Sequence, residues 1–146
     1  MPENRNIDNK IDDSIKEGEN MKGYIQHQVP ILPVKDVIET LDFFKEKLGF
    51  VIAWSWEDSY ASVYNADIEL HFEKSETITP QLIYFYVKNA DEVYNFYLNQ
   101  DVKIISEIES KPWGMREFTF SDQNGHLFKI GHEEKETKEI SNFTQY

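Results

Sequence analysis

The sequence predicts an α+β fold in which two βαβββ modules curl a mixed sheet into a cup. Three observations carry this. A stretch of the chain returns at an offset of 53 residues, from position 34 to 87: Val34-Lys35-Asp36 recurs as Val87-Lys88-Asn89, Glu39 as Glu92, Phe43 as Phe96 and Phe44 as Tyr97. Such self-similarity marks one supersecondary unit used twice. Each copy opens with a short apolar segment followed by a helix-start signature, and each helix is followed by three short apolar segments separated by turn residues.

The elements follow in order. Residues 1–22 are polar, with only Ile7, Ile11 and Ile15 as large apolar side chains between Met1 and Met21. Their spacing permits a short amphipathic helix, but they offer so little apolar area that a mobile tail is the expectation. Met21 is an alternative start. The folded unit is expected over 23–134, with repeat one at 28–76 and repeat two at 81–132. The first strand of each copy is expected at Val29–Val34 and Leu82–Val87. Asp36 with Glu39, and Asn89 with Glu92, fit the N-cap and N3 positions that satisfy the first free amides of a helix. Apolar positions at Val37, Leu41, Phe44 and Leu48, and at Val93, Phe96 and Tyr97, give one buried face to each helix. Strands are then expected at Phe50–Trp56, Tyr60–Asn65 and Ile68–Glu73, and at Lys103–Ile108, Arg116–Ser121 and His126–Gly131. The intervening turns are Glu57-Asp58-Ser59, Asn65-Ala66-Asp67, Pro112-Trp113-Gly114 and Asp122–Gly125. Thr79-Pro80-Gln81 links the copies, and 135–146 is a polar C-terminal tail whose Phe143 and Tyr146 are candidates to dock on the domain. Strand alternation places Val29, Ile31, Pro33, Trp54, Trp56, Glu69, His71, Leu82, Tyr84, Tyr86, Leu127, Lys129 and Gly131 on the cup face.

Composition narrows the function. The chain has 146 residues, 40% hydrophobic and 29% charged, with a mean hydropathy of −0.61. This is the balance of a soluble globular domain. The formal net charge of −12 argues against a nucleic-acid phosphate binder, which needs a basic patch. The absence of cysteine excludes disulfides, thiolate metal sites and cysteine nucleophiles. No apolar run reaches the length of a membrane span and no signal core opens the chain, so a cytoplasmic protein without a membrane partner is expected. Aromatic residues make up 14%, including 3 Trp. Tryptophans near loops and strand ends suit a ligand cleft as well as a core. His27, His71, His126 and His132 fit no spaced metal motif, and a structural or solvated role is the expectation for each. His71 and Glu69, two apart on one strand, offer the best case for residual chemistry. Phosphate loops, serine elbows and triad orders are absent.

The βαβββ repeat, VPILPVKDVIETLDFFKEKLGF near the start and PWGMREFTFSDQNGHLFKIGHE near the end resemble the vicinal oxygen chelate superfamily, which includes glyoxalases and dioxygenases. Within it the chain is most similar to the bleomycin-resistance proteins, over residues 28–134. Val29-Pro30, the Leu48-Gly49-Phe50 triplet and Pro112-Trp113-Gly114 with Arg116-Glu117-Phe118 are the most specific matches.

The superfamily's enzymes hold a divalent metal at four strand positions, and the resemblance places these at Val29, Glu69, Leu82 and Lys129. Valine and leucine have no donor atom, and a lysine ammonium has no lone pair and repels a cation. No catalytic metal or other cofactor is therefore expected. Two readings of Glu69 stand: an ion pair with Lys129, or a carboxylate facing a cationic group of a ligand.

The resemblance implies non-catalytic binding and sequestration of a planar, cationic, bleomycin-type antibiotic. Binding would use a groove between the subunits of a homodimer that exchange N-terminal strands at Pro30. Trp54, Tyr84 and Trp113 match aromatic groove positions, and Tyr60 matches one less closely. Trp56, Glu69 and His71 join the candidate ligand-binding set by strand position. The alternative reading of Trp54 and Tyr84 is core. Residues 23–132 carry nine Lys or Arg against seventeen Asp or Glu, a net −8. That charge would steer a polycation or simply keep the protein soluble. The alternatives are a small-molecule enzyme of the same superfamily, with Glu69 as base and His71 in support, and an orphan paralogue that binds another small ligand.

Overall fold

The computed structural model describes residues 21–134; the two expected tails fall almost wholly outside them. The chain runs β1 (Ile31–Val34), α1 (Val37–Asp42, continued by a π-helical stretch Phe43–Lys47), β2 (Val51–Trp56), β3 (Tyr60–Asn65) and β4 (Ile68–Lys74). The second copy runs β5 (Leu82–Tyr86), α2 (Ala90–Asn99), β6 (Lys103–Ser110), β7 (Met115–Ser121) and β8 (Leu127–Glu133). Two four-stranded sheets result, ordered β1-β4-β3-β2 and β5-β8-β7-β6, so each module has the same topology. In each, the first strand pairs in parallel with the last and the other pairs are antiparallel.

The repeated helix starts are chemically equivalent. Asp36 Oδ1 accepts from Glu39 N–H at 2.9 Å, and Asn89 Oδ1 from Glu92 N–H at 3.1 Å. Each bond satisfies an amide the helix cannot. The first helix stops at Gly49, whose φ of +81 only glycine adopts cheaply, and Phe50 N–H closes the end on the Phe44 carbonyl at 2.9 Å.

The helices cover one face of each sheet. Leu32, Val34, Phe44, Val63, Leu70 and Phe72 from the first module share a continuous core with Phe118, Phe120, Phe128 and Ile130 from the second. Phe44 lies 5.8 Å from Phe128 and Phe50 6.1 Å from Phe85 between ring centroids, joining the modules. Polar bonds reinforce this seam. Buried His126 accepts from Gln81 N–H at Nδ1, 3.0 Å away, which leaves Nε2–H to donate to the Pro33 carbonyl at 2.7 Å. Asn124 Oδ1 accepts from Lys35 N–H at 3.2 Å. Asp122 Oδ1 holds that turn by accepting from the amides of Asn124 and His126. His132 Nδ1 accepts from Ala90 N–H at 2.8 Å, so this histidine is also a structural acceptor.

The other face of each sheet is open. Along β4, Leu70 and Phe72 are buried while Glu69 and His71 are half-buried. Along β8, Phe128 and Ile130 are buried while Leu127 and Lys129 are not. Among the described residues no helix is long and apolar enough to cross a membrane.

Candidate ligand-binding site

The first open face is built by a bulge. β2 and β3 pair Ile52 with Val63, then skip Ala53 and pair Trp54 with Ser62 and Trp56 with Tyr60. Directly opposed residues share a face. Without the extra residue, Trp54 and Trp56 would follow Ile52 into the core; the bulge turns both to the open side. Trp54 stacks on Tyr60 with ring centroids 5.7 Å apart and planes within 10°, and both rings meet His71 edge-on. Trp54 is 46% exposed and Trp56 is 67% exposed, so the stack has free ring surface.

Behind the rings runs a polar chain. Tyr60 Oη lies 2.8 Å from His71 Nδ1, and His71 Nε2 lies 2.8 Å from Glu69 Oε2. Ser62 Oγ donates to the same Oε2 at 2.8 Å. With Glu69 ionised, every bond is satisfied if Nε2–H donates to the carboxylate and Nδ1 accepts from the tyrosine hydroxyl. These bonds from His71 and Ser62 hold the Glu69 carboxyl below its ordinary range, aided by the nearby imidazoles of His71 and His27. Burial, with the negative charges of Glu73 and Glu69, pushes the Tyr60 hydroxyl up.

The expected alternative of a Glu69–Lys129 ion pair is corrected: Glu69 is engaged by His71 and Ser62, and among the described residues Lys129 forms no ion pair. Glu69 is thus a pre-set negative charge with lowered basicity, which suits attraction of a cation better than proton abstraction.

The second open face carries Tyr84, Tyr86 and Trp113. Tyr84 and Tyr86 lie 5.0 Å apart between centroids, and Tyr86 is 77% exposed. Tyr84 Oη donates to Glu117 Oε2 at 2.8 Å, and Trp113 Nε1 donates to the same oxygen at 3.4 Å. Burial and the Glu117 carboxylate together push the Tyr84 hydroxyl far up. Gly131 makes this arrangement possible: a Cβ there would stand 2.0 Å from Tyr84 Oη and 3.0 Å from Glu117 Cγ. Trp113 sits on the Pro112–Gly114 turn, half exposed, with Gly114 at φ +85. Glu117 and Ser62 were not among the sequence candidates. Alternation with the core residues Phe118 and Phe120 puts Glu117 on the open face, as alternation from Tyr60 does Ser62, and that is the signal that could have found them.

A cleft of about 690 Å³ joins the two faces, bordered by His27, Gln28 and Pro30 on the arm before β1, by Glu69, and by Tyr84. The structure thus brings Pro30, Glu69 and Tyr84 to one cleft and sets Trp54, Tyr60 and His71 beside Glu69. Trp113 stands with Tyr84, and Trp56, exposed, lies opposite its strand partner Tyr60 at the end of β2. The Pro30 carbonyl accepts from His71 N–H at 2.9 Å, which ties the arm to β4. A second hollow of about 520 Å³, walled by Phe50, Phe85, Val93, Phe96 and Tyr97 with Asp67 and Glu92 at its polar edge, adjoins the cleft through Asp67, Ile68 and Phe85.

The four positions that the resemblance assigns to metal ligands do not fit a divalent ion. Val29 and Leu82 offer no donor, Lys129 is an ammonium, and Glu69 is occupied by two hydrogen bonds. Among the described residues no three His, Asp or Glu side chains come together as a ligand group.

A duplicated βαβββ chain with two open, aromatic sheet faces defines a class of protein, and sequence comparison names it. Residues 24–130 match the family model described as the Glyoxalase/Bleomycin resistance protein/Dioxygenase superfamily, and the chain belongs to that superfamily. Similar solved structures include TioX from Micromonospora sp. ML1, at 20% identity and a TM-score of 0.65, covering 75% of this chain and 99% of that one. The bleomycin-binding protein from bleomycin-producing Streptomyces verticillus, solved with copper(II)-bleomycin, is 21% identical with a TM-score of 0.60, covering 77% and 98%. A superfamily member from Sphaerobacter thermophilus is 22% identical with a TM-score of 0.66, covering 75% and 99%. At these identities the likeness is one of fold. No protein of curated function matches the sequence.

Proposed function

We propose that this protein binds and sequesters a flat, cationic, bleomycin-type glycopeptide without transforming it. The observation that carries the reading is the parallel Trp54–Tyr60 stack with its exposed outer face, backed by an ionised Glu69. A planar ring system lies on an indole face, and a cationic tail is drawn to the carboxylate and to the chain's net charge of −12. Trp113, Tyr84 and Tyr86 offer the matching aromatic wall on the second module. The protein acts as a homodimer in which the two open faces are covered by the partner. Pro30 is the turning point at which β1 pairs with the partner's β4 in place of its own. The bleomycin-binding structure of the same fold supports this reading. The test is protection: equimolar protein should shield plasmid DNA from cleavage by activated bleomycin. Unabated cleavage with protein in excess contradicts the proposal.

A second reading has its own observation. The Tyr60–His71–Glu69 chain, bonded at 2.8 Å twice, is the arrangement of a proton relay and keeps an enzyme of the superfamily in view. Glu69 with lowered basicity would orient His71 rather than act as base. Native protein carrying one equivalent of zinc, nickel or iron, with turnover in a lactoylglutathione or ring-cleavage assay, would favour this enzyme over the binder.

A further inference from the structure

Glu117 is 4% exposed, and Tyr84 and Trp113 both direct their donors to one of its oxygens, Oε2. The other oxygen, Oε1, is buried and no donor among the described residues reaches it. A buried carboxylate oxygen without a donor is costly, because dehydration is not repaid by a bond. Of the cations near it, Arg116 is paired with Asp91 and Lys111 with Glu109, while Lys129, the strand partner of Tyr84 on the same face, makes no bond to Oε1. The surroundings are otherwise built with care. Gly131 leaves room for Tyr84 to reach Glu117, and the aromatic faces of Tyr84, Tyr86 and Trp113 frame the group. The cover is light, since Trp113 stands on a glycine turn and its bond to Glu117 is a long 3.4 Å.

We propose that Glu117 Oε1 is an anchor for a cationic hydrogen-bond donor, an amidinium or primary ammonium, on a guest whose flat portion rests against Tyr84, Tyr86 and Trp113. This rests on the reading of the open faces as a guest site and adds what that reading lacks, a point of chemical specificity. Trp113 swings out on the Pro112–Gly114 turn, the donor meets Oε1, and the indole closes over the guest. The charge-assisted bond then forms in a place shielded from water, where it is stronger than at the surface.

Two matched probes test this: biphenyl carboxamidine, a flat cation, and biphenyl carboxamide, its neutral near-isostere. Titrated by calorimetry, the wild-type protein should bind the amidine about tenfold more tightly or better. The preference should survive about 0.5 M salt, which would abolish attraction by distant surface charge. In Glu117→Gln the two probes should bind alike, while the amide keeps its affinity and the urea midpoint holds or rises. Equal binding of the two probes by the wild type overturns the anchor without any variant. So does a salt-sensitive preference, an undiminished preference in E117Q, or a lowered midpoint in E117Q, which would mean a merely structural carboxylate. Failure of both probes to bind while bleomycin does overturns the anchor and leaves the sequestration reading intact. Failure of bleomycin with the amidine preference present does the reverse.

Discussion

Glu69 and Gly131 show how single residues set the two open faces. Glu69 takes two hydrogen bonds on one oxygen, which hold its carboxyl below the ordinary range. A carboxyl depressed in the folded state contributes stability that is full above the ordinary carboxylate range and is lost as pH falls through the depressed value. Carboxyl carbon NMR should therefore place the Glu69 midpoint below that of a free glutamate, and Ser62→Ala should move it upward. A midpoint at or above the ordinary value would contradict the hydrogen-bonded chain. Gly131→Ala would push a methyl into Tyr84 Oη, so it should break the Tyr84–Glu117 bond and destabilise by about 1–3 kcal/mol in urea unfolding. A neutral substitution would mean that Tyr84 is free to move aside.

Elements record what was readable and what was not. The repeat was legible from self-similarity, and both helix caps and the alternation on β4 and β8 because each is a local rule: a cap spans four residues and a strand's faces alternate by two. The faces of Trp54 and Trp56 follow the same alternation only by accident of the bulge at Ala53, which depends on how β2 meets β3 and leaves no local mark. The Glu69–Lys129 alternative failed for a related reason. Of its actual partners, His71 was within reach by alternation on Glu69's own strand, while Ser62 lies on β3 and only the register brings it there. His126 was readable as structural, but its partners Gln81 and Pro33 come from different modules. His126→Ala empties a fully buried ring site and leaves the Gln81 amide and the Pro33 carbonyl without this partner, and should cost about 2–4 kcal/mol by denaturant unfolding. A loss under about 0.5 kcal/mol would show that the seam is held by the phenylalanines alone.

At the scale of the whole molecule, two sheets present ring surface that one chain leaves uncovered. Trp56, Leu82 and Tyr86 are each more than 60% exposed. Large apolar side chains left this exposed on open sheet faces suit an interface or a ligand site. Sedimentation equilibrium should find a dimer at micromolar concentration; a monomer throughout would leave the guest site one-sided and contradict the proposed groove. The most direct measurement is a calorimetric titration of copper(II)-bleomycin into the full chain and into Trp54→Ala. The account predicts saturable binding at one guest per chain, weakened about tenfold or more when the indole is removed. No heat of binding, or equal affinity for the two proteins, would contradict it.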